Sequence, residues 1–386
     1  MRFSAPPPLA LYVHLPWCVR KCPYCDFNSH AAEAVPESDY VAALLSDLEQ
    51  ELPSVWGRPV VSVFLGGGTP SLFSPEAVEA LISGIRARLP LVADVEITLE
   101  ANPGTVDAAR FHGYRQAGVN RLSLGIQSLD DRALRAIGRI HDAAQARAAV
   151  EAARKAGFDN LNLDLMFGLP GQDRAGGLRD LTEAIALGPE HLSWYQLTLE
   201  PNTPFAAAPP PLPEEDEVVA LWEAGQAMLA GAGYGQYEVS AYARPGWRCR
   251  HNLNYWSFGD YLGIGAGAHG KITDAPRGVI RRYHKQRRPE RYLREAGGQG
   301  RIRGERVLTA EETMFEYLMN ALRLNEGFSV AHLEARTGLP FSQVRHSLEG
   351  LAAEGWLLLS EKTVKLSSRG RRYLDEVLRR CLPQNH

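Results

Sequence analysis

The chain has 386 residues, 45% of them hydrophobic and 23% charged, with a formal net charge of −3 at pH 7. This is the balance of an ordinary globular protein with room for two or three domains, and no stretch approaches the ~18 to 20 uninterrupted apolar residues of a membrane span. The slightly acidic total gives no global attraction to nucleic acid or anionic membrane.

The opening "MRFSAPPPLALYVHLPW" has a Pro run and no apolar core followed by a small-residue cleavage site. No signal peptide is expected, and a cytoplasmic location with reduced thiols is. Short β-branched runs then alternate with amphipathic stretches. The expected strands are "LALYVHL" (9–15), "VVSVFLG" (60–66), "DVEITLE" (94–100), "NRLSLGIQ" (120–127), "NLNLDLMFG" (160–168) and "HLSWYQLTL" (191–199). Between them, segments such as "SPEAVEALISGIRARL" and "DAAQARAAVEAARKAG" open on Ser or Asp, as capped helices do. The alternation predicts βα units around a parallel sheet, either doubly wound or a full or partial barrel, over residues 1–235.

Past "AAAPPPLPEED" (206–216), residues 236–300 read as an extension carrying "HNLNYW" (251–256) and the Gly-rich "GDYLGIGAGAHG" (259–270), expected as a tight loop. The run 281–294, "RRYHKQRRPERYLR", has six Arg and one Lys against one Glu and reads as a basic patch. After a Gly- and Arg-rich linker, residues 301–386 hold a short helical set followed by a hairpin-like pair, the order of a winged helix.

Functional groups in parallel βα folds collect at the C-terminal ends of strands. Here those ends deliver Gly66, Gly67 and Gly68, Glu100, Gln127, Asp164, and Thr198 or Glu200. The first strand (9–15) is followed by "WCVRKCPYCDF" (17–27), which holds three of the five cysteines. Three thiolates spaced Cys-x3-Cys-x2-Cys can hold three irons of a cubane cluster and leave the fourth open. Zinc would need a fourth protein ligand, with His14 and His30 the nearest candidates. Cys249 and Cys381 stand apart and read as incidental thiols. The Gly66–Gly68 backbone suits close approach by an amino acid moiety. Glu100 and Asp164 suit ammonium or hydroxyl groups, and Gln127 and Arg139 offer donors.

The "CVRKCPYC" motif on a first barrel strand resembles the radical S-adenosylmethionine (SAM) superfamily. That resemblance implies a partial (β/α)6 TIM-like barrel in which Cys18, Cys22 and Cys25 ligate a 4Fe-4S cluster whose open iron binds SAM. "GGGTPS", "LEANPGT", "RLSLGIQS", "IGRIH" and "LDLMFGLPGQ", with the winged-helix tail, resemble the HemN-like group of oxygen-independent coproporphyrinogen III oxidases across residues 9–380. Carried over by motif, Tyr12, Gly67 and Glu100 would serve the cluster-bound SAM. Tyr24, Gly68, Thr69, Gln127, Arg139 and Asp164 would serve a second SAM position.

Two departures separate the chain from those oxidases: Phe27 stands where they carry a fourth cysteine, and the lead before the motif is short. Both, with His251, Tyr255 and Trp256 of "HNLNYW", resemble the related heme chaperone family HemW. An imidazole is an ordinary axial ligand of heme iron, and Tyr255 and Trp256 offer flat apolar area to a porphyrin. The resemblance implies heme as cargo, acceptor hemoproteins in the cytosol or at the membrane as partners, and no coproporphyrinogen oxidase activity. Arg248, Arg250 and the basic run are candidate partners of the propionates. Radical SAM modification of a porphyrin is the competing reading; the acidic balance speaks against an RNA-modifying role, and homodimerisation is left open.

Overall fold

The computed structural model describes residues 1–382. Strand β1 (Leu9–Leu15) leads into the cysteine loop, whose two ends are joined by a short parallel pair, β2 (Trp17–Cys18) and β3 (His30–Ala31). Helix α1 (Glu37–Val55) then starts a run of βα units: β4 (Val60–Gly67), α2 (Pro75–Arg86), β5 (Leu91–Ala101), α3 (Ala108–Ala117), β6 (Arg121–Gln127), α4 (Asp131–Ala136), α5 (Ala143–Lys155), β7 (Leu161–Phe167), α6 (Arg174–Ala186) and β8 (His191–Gln196). Pairing between successive barrel strands is parallel, from β1 against β4 to β7 against β8. Helix crossovers cover such a sheet on both faces, so its strands are apolar throughout; β1 is buried at every position but Tyr12.

The helices follow from local chemistry. In α5 the Asp142 side chain accepts from the Gln145 amide while the Gln145 side chain accepts from the Asp142 amide, and Ala146, Ala149, Val150 and Ala153 form the buried stripe. In α2, Ser74 caps the first turn ahead of Pro75, whose missing N–H costs nothing there.

Beyond α7 (Pro204–Ala207) and α8 (Glu215–Gly231), the chain extends the same sheet at both edges. Strands β9 (Gly235–Glu238) and β10 (Ala241–Ala243) add antiparallel to β8. After α9 (Arg250–Trp256), β11 (Asp260–Ile264) pairs parallel with β1 on the side away from β4, and β12 (His269–Asp274), β13 (Val279–Lys285) and, past α10 (Pro289–Glu295), β14 (Ile302–Val307) follow antiparallel. The twelve strands run β14-β13-β12-β11-β1-β4-β5-β6-β7-β8-β10-β9, so among the described residues the barrel stays open between β14 and β9.

Two expectations are corrected here. "GDYLGIGAGAHG" is no loop: it supplies β11, a turn, and the start of β12. Its glycines allow close backbone approach, since a Cβ at Gly263 would lie 1.9 Å from the His269 carbonyl oxygen. The run 281–294 is a solvated patch only in part, with Arg287, Arg288, Arg291 and Arg294 exposed. It forms the end of β13 and helix α10, and Lys285 is fully buried between Asp47 at 2.5 Å and Glu51 at 2.7 Å.

The C-terminal unit comprises α11 (Ala310–Ala321), β15 (Phe328–Ser329), α12 (Val330–Thr337), α13 (Ser342–Ala353), β16 (Leu357–Leu359), β17 (Thr363–Leu366), α14 (Ser368–Arg372) and α15 (Leu374–Arg380). It has its own apolar core, which Phe258, Ile280 and Leu308 join from the sheet extension, so the two parts share packing.

Candidate functional site

The cysteine loop is held at its base by the Trp17–His30 register and by the His30 and Ala32 amides, which donate to the Pro16 and Cys18 carbonyls at 2.7 and 3.1 Å. Inside it, the Cys25 amide donates to the Cys22 carbonyl at 3.1 Å and makes a tight turn. All three thiols are free and line one cavity of ≈ 320 Å³ with Gly67, Gly68, Thr69, Glu100, Gln127, Arg139 and Asp164. Thr69 Oγ1 donates to Cys18 Sγ at 3.4 Å and Arg139 Nη1 to Cys22 Sγ at 3.7 Å. Burial raises the Cys18 and Cys25 thiols above their ordinary pKa. Bound iron would supply the charge that makes them thiolates. Three soft donors converging on one cavity, with hydrogen-bond donors aimed at two of the sulfurs, fit a 4Fe-4S cluster. Among the described residues, no group of three His, Cys, Asp or Glu side chains is arranged around a single ion.

The strand ends of β4 to β7 build the rest of this cavity. At Gly67, with φ +117°, a Cβ would lie 2.6 Å from the His14 ring; at Gly68 it would lie 2.5 Å from the Trp17 carbonyl oxygen. Only glycine lets the β4 turn pass so close under the cysteine loop. Glu100 accepts from the Gly67 amide at 3.1 Å; burial, aided by the Asp164 charge, lifts its pKa to about 7. Asp164, also raised by burial, accepts from Ser123 Oγ and Asn162 Nδ2 at 2.9 and 2.8 Å. The buried Arg121 guanidinium counters both carboxylates. Gln127 sits in left-handed backbone at φ 68° and its Oε1 accepts from Tyr195 Oη at 2.9 Å. Arg139 donates through Nη2 to the Gly125 carbonyl at 2.7 Å, while its Nε is buried without a partner. Tyr24 packs on Phe205, ring centroids 6.5 Å apart. Thr198 and Glu200 line neither of the two cavities; Thr198 Oγ1 donates to Glu200 at 2.9 Å.

A second, larger cavity of ≈ 670 Å³ adjoins the first, and Phe27, Gly67 and Glu100 line both. Its walls include Tyr12, His14, Tyr255, Trp256, Tyr261, His269, His284 and Arg287. Tyr12 thus belongs to this wall and not to the cysteine cavity. Phe27 stands 63% exposed at the junction and is free to contact a ligand on either side. Asn28 ties the cysteine loop to this region, its Nδ2 donating to the Ala266 and Arg287 carbonyls at 2.9 Å each. His14 Nε2 lies 2.8 Å from the Asn28 carbonyl and so carries the proton, which makes Nδ1 the acceptor for Tyr12 Oη at 3.0 Å.

The "HNLNYW" segment is helix α9, and its residues divide. The N-terminal amides of Arg250 and His251 donate to Glu96 at 3.0 Å each. His251 is 1% exposed and outside the cavity lining, stacked on Phe64 with Nδ1 3.0 Å from Ser62 Oγ and Nε2 buried without a partner. Only Tyr255 and Trp256 reach the cavity wall. Arg248 and Arg250 line neither cavity and pair with Glu326 and Asp94 at 2.7 Å. Sequence reasoning missed His269 as a cavity residue, while His284 and Arg287 lie in the basic run already named for the propionates; the signal for His269 is that it faces His284 across a hairpin whose first strand reads as a loop.

Residues 12–177 match the radical SAM superfamily and residues 308–373 the HemN C-terminal domain. The chain is 50% identical over 374 residues to the heme chaperone HemW of Escherichia coli, covering 96% of this chain and 97% of that one. It is 47% identical to the heme chaperone HemW of Haemophilus influenzae, covering 96% and 97%. To the mitochondrial radical S-adenosyl methionine domain-containing protein 1 of Mus musculus it is 37% identical, covering 99% and 89%. Among solved structures, coproporphyrinogen III oxidase (HemN) from Escherichia coli superposes with a TM-score of 0.82 at 24% identity, covering 97% and 90%, a likeness of fold.

Proposed function

Because the chain belongs to the heme chaperone HemW family, we propose that it binds heme and passes it to acceptor hemoproteins, using a 4Fe-4S cluster on Cys18, Cys22 and Cys25 with SAM beside it. The observation that carries the reading is the contact between two cavities of different character. One is lined by thiols, glycine backbone and carboxylates; the other, at ≈ 670 Å³, has aromatic walls and falls within the about 300 to 1,000 Å³ of cofactor pockets.

A bound cluster supplies an iron with an open coordination position and one-electron chemistry. The chain's own groups do the rest. Gly67 leaves room for the methionine part of the cluster-bound SAM. Glu100, in its ionised form, attracts its ammonium, and Gly68, Thr69, Gln127, Arg139 and Asp164 offer room and polar contacts at the second position. In the larger cavity Tyr255 and Trp256 give apolar area to a porphyrin face, and Arg287, exposed at the wall, offers a cation to a propionate. Phe27 lines both cavities, so its ring would contact a ligand in either.

The test is uptake and transfer. Full-length protein with its cluster reconstituted anaerobically is titrated with hemin and then mixed with an apo-hemoprotein; the expected result is stoichiometric uptake followed by transfer. The same preparation given coproporphyrinogen, SAM and reductant should form no protoporphyrinogen, and if it does, the carrier reading is wrong.

A further inference from the structure

Strands β12 and β13 place His269 directly opposite His284 on the antiparallel ladder. The two imidazoles stack with centroids 5.4 Å apart and an interplanar angle of 25°. Both line the ≈ 670 Å³ cavity, on the wall completed by Phe27 and Arg287. Imidazole binds metals in its neutral form. Among the described residues no third His, Cys, Asp or Glu joins the pair to enclose a free cation. A metal that arrives with its own in-plane donors needs no such third side chain, and heme iron is that kind of metal.

His251 is poorly placed by comparison. Its Nδ1 is shared with Ser62, its ring is enclosed by Phe64 and Tyr255 at centroid distances of 5.0 and 4.7 Å, and it is absent from the cavity wall. Iron could reach its Nε2 only after these aromatic neighbours moved.

We propose that the His269–His284 pair on the β12–β13 hairpin supplies the axial ligand to heme iron in the larger cavity, with His251 acting as a positioning residue for α9. This rests on heme occupying that cavity, and the experiment separates the two ideas. Cluster-loaded full-length protein is titrated with hemin and, separately, with metal-free protoporphyrin IX, for wild type, His251→Ala, and the double variants His269→Ala/His284→Ala and His269→Gln/His284→Gln. Both double variants should bind protoporphyrin IX like wild type, which also reports that they fold. They should bind hemin at least about tenfold more weakly, a loss of about 1.4 kcal/mol, and lose the iron–imidazole stretching signal in the resonance Raman spectrum of the reduced heme complex. His251→Ala should keep that signal. Unchanged hemin affinity and spectrum in the double variants, or loss of the signal in His251→Ala alone, overturns the assignment while leaving the cavity reading standing. A wild type that takes up neither porphyrin removes the cavity reading, and this inference with it.

Discussion

Ser62 Oγ and His251 Nδ1 lie 3.0 Å apart, an interaction between β4 and α9 in the interior of the molecule. It fixes the most conspicuous histidine of the extension as part of the packing. Ser62→Ala removes this partner from a buried ring whose Nε2 is already unpaired, and is expected to cost about 1 to 3 kcal/mol of unfolding free energy. A denaturant midpoint shift with unchanged slope would show it; no shift would mean the hydroxyl contributes nothing.

The same ring makes a pH prediction. Burial first, and the Arg121 charge second, push the His251 pKa down to about 3. Unfolded, it titrates near the ordinary histidine value of about 6.5, so between those limits the unfolded chain binds the extra proton and stability falls as pH falls. The stability difference between wild type and His251→Gln should therefore be constant above pH ~6.5 and shift against wild type as pH drops towards ~4. A difference that is flat across that range would place the ring in contact with water.

Gly68 makes the cluster loop sensitive to a single methyl group. Its added Cβ would meet the Trp17 carbonyl oxygen at 2.5 Å, and that oxygen already accepts from the Thr69 amide at 2.7 Å. Gly68→Ala should push Cys18 away from Thr69 and lower iron and sulfide content and visible absorbance after reconstitution, with the far-ultraviolet dichroism of the barrel preserved. Cys18→Ser, Cys22→Ser and Cys25→Ser should each do the same. Full cluster occupancy in Gly68→Ala would show that the loop can slide.

How much of this was written in the sequence depends on the range of the interactions involved. The six barrel strands were legible because both faces are covered and each is a short apolar run bounded by turns; four match the expected limits to within one residue, while β5 starts three residues earlier and β8 ends three residues earlier than expected. The three thiols and the strand-end groups around Glu100 were legible because one rule, chemistry at the C-terminal ends, places them together. β11 was missed because Asp260–Ile264 contains glycine where strands usually carry bulk, and only the partner backbone at His269 explains why. The basic run misled for a similar reason: the acids that neutralise Lys285 are 238 and 234 residues earlier in the chain. His251 has the residue type of a heme ligand, and only the tertiary contact with Ser62 shows where its ring points.

Those distant acids support the last prediction. Asp47 and Glu51 lie one turn apart on α1 and hold Lys285 of β13 and Arg301 just before β14, with Arg301 Nε 3.1 Å from Asp47 and Nη2 2.9 Å from Glu51. Arg281 reaches Glu51 at 3.0 Å, and Tyr292 of α10 donates to Asp47 at 2.7 Å. The network therefore clamps α1 to the hairpin that carries His284, one residue from Lys285. Removing one member of a buried ion network leaves uncompensated charge, so Lys285→Met should cost about 3 to 5 kcal/mol, read as a large fall in the unfolding midpoint. Replacing partners together should cost less than the sum of the single changes, because the charge left behind is what is expensive. The double change Lys285→Met/Asp47→Asn, which leaves Glu51 to Arg301 and Arg281, compared with the singles in a mutant cycle, tests this. Additive losses would mean that these groups act as separate solvated pairs, and the clamp on the hairpin would then have to come from packing alone.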